Sequence, residues 1–388
     1  MQKILKRSLF LVLLLFSTAF ADDFSRFQAS TPLIPKQPNL PVKAFILIDA
    51  DSGRILAQRA ATTAFEPASL TKLMSLLVIS NALHSHQIHL SDQVLVSTHA
   101  WHQKGSRMFI KAGDHVPVNQ LLQGIIVASG NDATMAMAEH TAGSEEGFVD
   151  LMNYAADKLH LSQTHFVNPT GMPAESHRSS AKDLSTIART LIHNYPEFYH
   201  WYHQKWFSYH HIRQPNRNRL LWRDHSVDGL KTGHTQSAGY CLVSSAKQNG
   251  MRLIAVVMGA KTDAERNASS QRLLNYGFRF YTTQKLMPKA AKFASVTTWK
   301  GQQRETKVGL LKPLYLTFPK GFSKKLKITK QLPESIIAPV ARHTKLGELR
   351  VSLGNQLIAQ APLVALQANA NGSRWQNMVD TVRIWFGG

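Results

Sequence analysis

The residues with the clearest capacity for chemistry form three short motifs. They occur along the chain in the order Ser69-Leu70-Thr71-Lys72, Ser129-Gly130-Asn131 and Lys231-Thr232-Gly233. Each motif alone is a weak signal, because patterns with two or three fixed residues arise by chance in many chains of this length. Together, in this order and with domain-scale gaps, they indicate three walls of one site that uses a serine nucleophile.

Ser69 and Lys72 have the spacing of a nucleophile and its base. A serine hydroxyl is a poor nucleophile at neutral pH and needs a base within hydrogen-bond reach. Residues three apart lie on one face of a helix, and the apolar run Leu73–Ile79 predicts that this helix is buried. Lys72 can act as a base only when it is neutral. Burial and a second cation, for which Lys231 is the candidate, would lower its pKa.

The other two motifs supply groups that could assist such a nucleophile. Ser129-Gly130-Asn131 lies between two apolar helical patterns and is predicted to be a loop. There Ser129 can pass a proton to a leaving amine and Asn131 can hold a substrate amide. The segment Lys231–Thr235 is predicted to lie at a strand edge, where Gly233 permits close approach and Lys231, Thr232 and Thr235 can bind a carboxylate. The simpler interpretations are a polar turn and a basic strand end.

Several longer segments carry a resemblance to a known family. They are Glu66-Pro67-Ala68-Ser69, Ser129-Gly130-Asn131-Asp132-Ala133, Asn216-Arg217-Asn218, Asp228–Thr235 and Ala238-Gly239-Tyr240. On these the chain resembles the low-molecular-mass penicillin-binding proteins, specifically the D-alanyl-D-alanine carboxypeptidases of the penicillin-binding protein 5/6 type. The resemblance implies a hydrolase that removes the terminal D-alanine of peptidoglycan pentapeptides through an acyl-enzyme on Ser69. It implies acylation by β-lactams, a role in cell-wall remodelling and cell shape, and neither a cofactor nor a metal.

The same resemblance implies roles for individual residues. It gives Arg217 a part in fixing the lysine network, Arg266 a contact to the substrate's terminal carboxylate, and the backbone N–H groups of Ser69 and His234 the oxyanion hole. The full set implied to bind substrate is Asn131, Lys231, Thr232, Gly233, His234, Thr235, Arg217 and Arg266. Two departures are a threonine at position 170, where some members carry histidine, and a segment 222–231 that is one residue shorter than in some relatives.

Two other functions remain open at this point. A class A-like β-lactamase shares the fold and mechanism but needs a carboxylate base for deacylation. Glu175 is the nearest candidate for this base. Two features argue against a β-lactamase: the residues around Glu175 do not match the β-lactamase loop, and Gly130 stands where those enzymes carry aspartate. A non-catalytic wall-binding scaffold is the second alternative. The histidines at 200, 203, 210 and 211 are interpreted as structural or surface residues, since no zinc-binding spacing accompanies them.

The chain divides into four segments by composition. Residues 1–21 resemble a secretory signal, with a basic start, an apolar stretch and Ala19-Phe20-Ala21 before the cut. Residues 22–284 hold all motifs, and strands at both ends with helices between them predict an antiparallel sheet covered by helices. The resemblance makes this the penicillin-binding/β-lactamase-like α/β fold with an all-α lobe. Residues 285–366 show short strand-like runs and are predicted to form a small β-sandwich, and residues 367–388 a linker and an amphipathic helix.

The predicted C-terminal helix and the net charge of the chain indicate where the protein is located. Six apolar residues fall within an arc of roughly 120°: Trp375, Met378, Val379, Val382, Trp385 and Phe386. Such a face suits an interfacial helix, and the polar linker favours a free helix over one packed on the sandwich. The resemblance implies anchoring to the periplasmic face of the inner membrane. The net charge of +21 then points to anionic lipid or acidic wall polymer, because the chain has no recognisable nucleic-acid module.

Overall fold

The computed structural model describes residues 34–386, and the predicted signal peptide lies outside them. Its first part contains nine strands and nine α-helices. The strands are β1 (Ala44–Asp49), β2 (Ile55–Arg59), β3 (Gln93–Leu95), β4 (His115–Pro117), β5 (Trp206–Tyr209), β6 (Ile212–Pro215), β7 (Val227–Thr235), β8 (Gly239–Gln248) and β9 (Met251–Ala260). The helices are α1 (Lys72–His84), α2 (Thr98–Trp101), α3 (Val118–Gln123), α4 (Asn131–Ala142), α5 (Glu145–Lys158), α6 (Ala181–Asn194), α7 (Pro196–Tyr199), α8 (Leu220–Arg223) and α9 (Asp263–Phe280).

A five-stranded antiparallel sheet in the order β2-β1-β9-β8-β7 forms the centre of this part. Helix α6 packs on one face and α9 on the other. Strand β1 is therefore buried at all six positions and consists almost entirely of apolar residues rather than alternating ones. The predicted antiparallel sheet covered by helices is confirmed.

Helix α1 runs through the middle of the helical lobe. Every residue of α1 except Asn81 and His84 is buried, and the helix contacts α4, α5 and α6. A helix that is apolar on all sides must be surrounded by protein, as the run Leu73–Ile79 predicted. Burial of this helix is what takes Lys72, its first residue, out of water.

Two hairpins join neighbouring strands of the five-stranded sheet. Strands β1 and β2 enclose the turn at Asp51–Gly53, and β8 and β9 enclose Asn249-Gly250. Asn249 has φ of 49° and Gly250 of 80°, so both central residues are left-handed, as a two-residue type I′ turn requires. The second hairpin sets the register of β8, and through β8 that of the edge strand β7.

The second part is an all-β domain. Its strands are β10 (Tyr281–Met287), β11 (Lys292–Trp299), β12 (Glu305–Gly309), β13 (Leu314–Pro319), β14 (Leu326–Gln331), β15 (Ser335–Ile337), β16 (Lys345–Leu353) and β17 (Gln356–Ala365). A six-stranded sheet in the order β14-β16-β17-β12-β11-β15 packs against the pair β10–β13. Strand β10 follows α9 directly and spans the predicted boundary at residue 284.

The chain ends in a helix, α10 (Arg374–Trp385), that is docked on this β-domain. Asp380 is fully buried, and its carboxylate accepts from the Lys300 N–H at 2.7 Å and from Arg304 at 3.0 Å. The linker is also held, because the Gly372 N–H donates to the Lys300 carbonyl at 2.8 Å. The expectation of a free helix on a loose linker is therefore wrong.

Docking leaves the apolar residues of α10 facing solvent. Trp375 is 70 % exposed and Trp385 86 % exposed, while Val379 is half-buried. Among residues 34–386, no helix combines the length and apolar character needed to cross a membrane.

Candidate active site

Ser69 and Lys72 are adjacent, as their spacing predicted, but they do not share one α-helix. Ser69 lies on a short 3₁₀ turn, Ala68–Thr71, and Lys72 begins α1 directly after it. The Lys72 Nζ lies 3.0 Å from the Ser69 Oγ. Ser69 is half-buried and lines a cavity, so the hydroxyl is accessible while the amine lies behind it.

The amine of Lys72 has three partners. Besides Ser69, the Nζ lies 2.6 Å from the Asn131 Oδ1 and 2.6 Å from the Thr170 carbonyl oxygen. A neutral amine has two N–H groups and one lone pair. When both N–H groups donate to the two oxygens at 2.6 Å, the lone pair faces Ser69, and the serine hydroxyl can donate to it.

The electrostatic setting makes that neutral form accessible. Burial, and after it the positive charge of Arg217, lowers the pKa of Lys72 to about 7, with a smaller opposing effect from Asp132. An ordinary lysine has a pKa of about 10.4 and is almost entirely charged at neutral pH. Lys72 therefore has the proton affinity that a general base working near pH 7 requires.

Ser129 and Lys231 form a second hydroxyl–amine pair. Lys231 is buried, and its Nζ donates to the Ser129 Oγ at 2.9 Å and to the Thr232 carbonyl at 3.0 Å. Burial, followed by the charge of Lys72, lowers the pKa of Lys231 well below its usual range. Ser129 has φ of 60°, a left-handed conformation that costs energy for a residue with a side chain. It ends a π-helical turn, Gly124–Ala128, between α3 and α4, as the predicted interhelical loop.

Asn131 and Asp132 open helix α4 and fix the neighbouring loop. The Asn131 Nδ2 donates to the Lys104 carbonyl at 2.5 Å, while its Oδ1 receives Lys72. Asp132 is fully buried and accepts from the Met108 and Phe109 N–H groups, each at 2.8 Å. Sequence reasoning gave Asp132 no role. The available signal was an aspartate in the first turn of a helix, where carboxylates commonly bind backbone N–H groups.

The third motif lies within strand β7, at the edge of the sheet. A Cβ on Gly233 would lie 3.0 Å from the Pro67 carbonyl oxygen and 3.1 Å from the Ser69 backbone nitrogen. The strand therefore approaches the nucleophile's turn more closely than a side chain would allow. This approach brings the β7 backbone at Gly233, the residue before His234, close to the Ser69 N–H.

The two arginines singled out in the sequence both line the cavity. Arg217 is exposed between the buried Asn216 and Asn218, so alternate residues face the protein and the cavity. Asn218 donates to the Gly229 carbonyl at 2.9 Å, which fixes that alternation. Arg266 is buried at the start of α9, where it donates to the Asp263 carboxylate, and its Nε has no hydrogen-bond partner.

The loop after residue 167 contributes a backbone group rather than a side chain. The Asn168 Oδ1 accepts from the N–H groups of Gly171 at 2.8 Å and of Thr170 and Met172 at 3.2 Å. This turn aims the Thr170 carbonyl at Lys72. The side chain at position 170 does not make that contact. Glu175, the candidate base of a β-lactamase, is exposed and does not line the cavity.

His177 supports the same region from behind. Its Nδ1 accepts from the Val167 N–H at 3.0 Å, so in the neutral ring the Nε2–H donates to the Thr71 hydroxyl at 2.8 Å. Burial, with smaller contributions from His165 and Lys72, lowers the pKa of His177 to about 4. The ring is neutral at physiological pH and ties the loop to the turn that carries Ser69.

The cavity in front of Ser69 has a volume of about 1090 Å³. Seven of the predicted site residues line it: Ser69, Ser129, Arg217, Thr232, Gly233, His234 and Arg266. Lys72, Asn131 and Lys231 are buried directly behind it. Thr235 is not among the lining residues, and its hydroxyl accepts from the Ala238 N–H at 3.0 Å in the β7–β8 turn. Sequence reasoning missed Trp206, Trp222, Arg219 and Arg223, which also line the cavity.

Comparison with protein families agrees with this arrangement. Residues 31–262 match the family described as D-alanyl-D-alanine carboxypeptidase. Residues 281–370 match the family described as penicillin-binding protein 5, C-terminal domain. The second match begins at β10, the strand at which the β-domain starts.

Individual relatives extend over nearly the whole chain. The chain is 40 % identical over 383 residues to D-alanyl-D-alanine carboxypeptidase DacA of Escherichia coli, covering 96 % of this chain and 94 % of that protein. Among solved structures, penicillin binding protein 5 from Haemophilus influenzae aligns with a TM-score of 0.83 and 36 % identity over 87 % of this chain and 100 % of that one. Penicillin binding protein 6B from Escherichia coli aligns with a TM-score of 0.72 and 36 % identity over 86 % and 98 %.

Proposed function

The chain belongs to the D-alanyl-D-alanine carboxypeptidase family and is a serine hydrolase of that specificity, and from this premise we propose how its residues divide the reaction. The substrate is a peptidoglycan peptide that ends in D-Ala-D-Ala, and β-lactams bind in the same site. In this proposal residues 22–284 carry the chemistry and the β-domain, residues 285–366, positions them.

Acylation begins with the pair at the end of α1. Lys72 takes the proton of Ser69 while the Ser69 Oγ bonds to the carbonyl carbon between the two D-alanines. The observation that carries this step is the Lys72 amine, whose two short contacts leave its lone pair for the hydroxyl 3.0 Å away. The developing oxyanion is stabilised by the N–H groups of Ser69 and His234, each such donor contributing about 3 kcal/mol.

The second pair serves the leaving group. Ser129 gives its proton to the nitrogen of the departing D-alanine and is reprotonated through Lys231, which donates to it at 2.9 Å. Arg217, Arg266 and Thr232 bind the terminal carboxylate, and Asn131 holds the substrate amide. Lys72 passes the proton that it took from Ser69 to the Ser129–Lys231 pair, which restores that pair and leaves Lys72 neutral. Water then attacks the ester carbonyl while Lys72 accepts a proton from it, and Lys72 returns this proton to the Ser69 oxygen, which leaves as the hydroxyl.

Lys72→Arg tests this assignment sharply. Arginine keeps the length and positive charge of the side chain, but its guanidinium stays protonated and cannot accept the serine proton. We expect labelled penicillin to modify the wild type at Ser69, located by peptide mass spectrometry, and the variant to acylate more than a hundredfold more slowly. Lys158→Arg, a surface substitution, is the matched control. Acylation of Lys72→Arg within tenfold of wild type would remove Lys72 from the role of base.

We also propose that the protein is exported and acts on the periplasmic face of the cytoplasmic membrane, held there by α10. Two observations support this: the aromatic residues of α10 point into solvent, and the net charge of +21, which is +18 without Lys3, Lys6 and Arg7 of the signal, favours anionic lipid. The buried Asp380 would then fix the β-domain at the membrane surface, with no flexible linker between them. Deleting residues 374–388 should release the protein from sedimented membranes. A truncated protein that still sediments would contradict the anchor.

A further inference from the structure

A second cavity, the junction groove, lies where the first part of the chain meets the β-domain. Its lining comes from α6, from the β1–β2 hairpin, and from Lys312, Pro313 and Tyr315 of the β-domain. Its volume is about 540 Å³, and it shares no lining residue with the cavity in front of Ser69. A ligand in the junction groove therefore contacts both domains without entering the serine site.

Hydrogen bonds across the junction hold the groove in one shape. Arg54 donates to the Thr317 carbonyl at 2.6 Å, and the Thr283 hydroxyl donates to the Asp49 carboxylate at 2.7 Å. The hydroxyl oxygens of Ser52 and Thr317 lie 2.6 Å apart. Each of these contacts joins the β1–β2 hairpin to β10 or β13. The groove is therefore formed in advance, and a ligand does not have to order it.

The junction groove carries an excess of positive charge. Lys182, Arg189 and Lys312 line it, with His193 beside them. Asp51 is the one carboxylate among the lining residues, and its side chain is only 19 % exposed and lies 3.8 Å from His193. In the part of the chain that the structure describes, neither lysine amine has a hydrogen-bond or ion-pair partner. Three permanent cations thus face one carboxylate, and the groove attracts anions.

Arg189 is the rigid centre of this charge. Its Nε donates to the Ala50 carbonyl at 2.5 Å and its Nη2 to the Asp51 carbonyl at 3.0 Å. The guanidinium lies against Gly53, where a Cβ would be 3.6 Å from the Arg189 Cζ. Two of the five N–H groups of the side chain are engaged in this way. Both N–H groups of Nη1 are left for a ligand carboxylate, which a fixed guanidinium binds with little loss of side-chain freedom.

The cations of α6 are spread over a length that an extended peptide covers in a few residues. Lys182, Arg189 and His193 all line the groove, and at 1.5 Å per residue they span roughly 16 Å of the helix. An extended peptide advances about 3.4 Å per residue, so about five residues cover this length. Its alternate side chains point the same way, about 7 Å apart, which places a row of carboxylates along the row of cations.

Other lining groups suit a peptide better than a bare phosphate chain. The Thr186 hydroxyl donates to the Lys182 carbonyl at 3.2 Å, and the Thr190 hydroxyl to the Thr186 carbonyl at 2.9 Å. With their hydrogens used inside α6, these oxygens can only accept. Backbone N–H groups of a peptide can donate to them, whereas phosphate oxygens meet them without a hydrogen between. Ile55, which is 41 % exposed, adds an aliphatic contact.

We propose that the junction groove docks an extended acidic segment of a partner protein. Carboxylates on alternate residues of that segment pair with Lys182, Arg189 and Lys312, and the side chains between them pack on Ile55 and Pro313. The partner is held across the two domains and leaves the serine site open. The inference concerns a surface that the proposed reaction does not use, so neither depends on the other.

The test measures binding of a fluorescein-labelled peptide, Glu-Leu-Glu-Thr-Glu-Leu-Glu, to the mature protein by fluorescence anisotropy. We expect saturable one-to-one binding to wild type, and none of the same peptide with lysine in place of every glutamate. Lys182→Gln and Lys312→Gln should each weaken binding about fivefold, as loss of an exposed ion pair does. Lys158→Gln, an exposed lysine on α5 outside the groove, is the matched control and should bind as wild type does.

Two measurements separate the groove from the serine site. Ser69→Ala should bind the peptide as wild type does, and both groove variants should be acylated by penicillin at the wild-type rate, which also shows that they are folded. Absence of peptide binding by wild type would overturn the proposal. Equal affinity in Lys312→Gln and Lys158→Gln would overturn it too, because binding would then follow net charge alone. Tighter binding of tripolyphosphate than of unlabelled peptide, in competition, would replace the peptide by a phosphate ligand.

Discussion

The pH dependence of acylation follows from the environment of Lys72. Burial, and then the charge of Arg217, lowers the pKa of Lys72 to about 7. Only the neutral amine accepts the Ser69 proton, so acylation must rise with pH through the pKa. The neutral fraction is about 10 % one unit below the pKa and about 90 % one unit above it. Acylation should therefore increase about tenfold from pH 6 to pH 8 and level off above.

Replacing Arg217 should move this curve. Arg217→Gln removes a positive charge that disfavours protonated Lys72, so the pKa of Lys72 rises and the half-maximal rate shifts to higher pH. Weaker binding would lower the whole curve but would not move its midpoint. Arg219→Gln is the matched control, because Arg219 lines the same cavity and its side chain is 65 % exposed.

The assay is the second-order rate of acylation by a fluorescent penicillin between pH 5.5 and 10. Wild type and Arg219→Gln should share a midpoint near pH 7, and Arg217→Gln should have a higher one. A wild-type midpoint above pH 9 would mean that the pKa of Lys72 is not lowered and is close to that of an ordinary lysine. Equal midpoints in the two arginine variants would refute the electrostatic coupling between Arg217 and Lys72.

Three further changes test other parts of the structure. The folded pKa of His177, about 4, lies below the unfolded value of about 6.5, so its contribution to stability is present above pH 6.5 and is lost as pH falls towards 4. His177→Gln should reduce the pH 7 to pH 4 loss in the free energy of unfolding by about 3 kcal/mol in urea titrations, and an unchanged loss would contradict this. Gly171→Ala would put a Cβ 1.9 Å from the Ala68 carbonyl oxygen, beside Ser69, and should lower the rate of penicillin acylation more than tenfold. Gly113→Ala is the control, because Gly113 has a similar φ and open space around it, and it should leave that rate unchanged. Asp380→Ala should speed hydrogen exchange in α10 at least tenfold by mass spectrometry, and an unchanged rate would mean that other contacts dock the helix.

The parts of the site that depend on residue type could be predicted from the sequence. The roles of Ser69, Lys72, Ser129 and Lys231 each require a hydroxyl or an amine. All four residues lie in short motifs that are visible in the sequence. The Thr170 and Lys104 carbonyls could not be predicted, because any residue supplies a carbonyl and only the fold decides which one meets Lys72 or Asn131. Trp206 and Trp222 were missed for a related reason, since two aromatics sixteen positions apart carry no motif.

The fold also has parts that local sequence patterns predict and parts that they do not. The apolar run Leu73–Ile79 predicted the burial of α1, and strands at both ends of residues 22–284 predicted the antiparallel sheet. Strand β17 was not predicted, and Pro362 in its interior is atypical of a paired strand. Helix α10 was predicted from its apolar face, but the side chain that holds it on the β-domain is the buried carboxylate of Asp380. The partners of Asp380 lie on a turn about eighty residues earlier, which periodicity cannot reveal.

Release of D-alanine from diacetyl-Lys-D-Ala-D-Ala by protein lacking residues 1–21 tests the central claim most directly. We expect steady turnover by wild type and none by Ser69→Ala, with a stable penicilloyl adduct on Ser69 of the wild type in a parallel reaction. Rapid penicillin hydrolysis without D-alanine release would contradict it and favour a β-lactamase. Neither adduct nor D-alanine would mean that a complete set of motifs is held here in a protein without this activity.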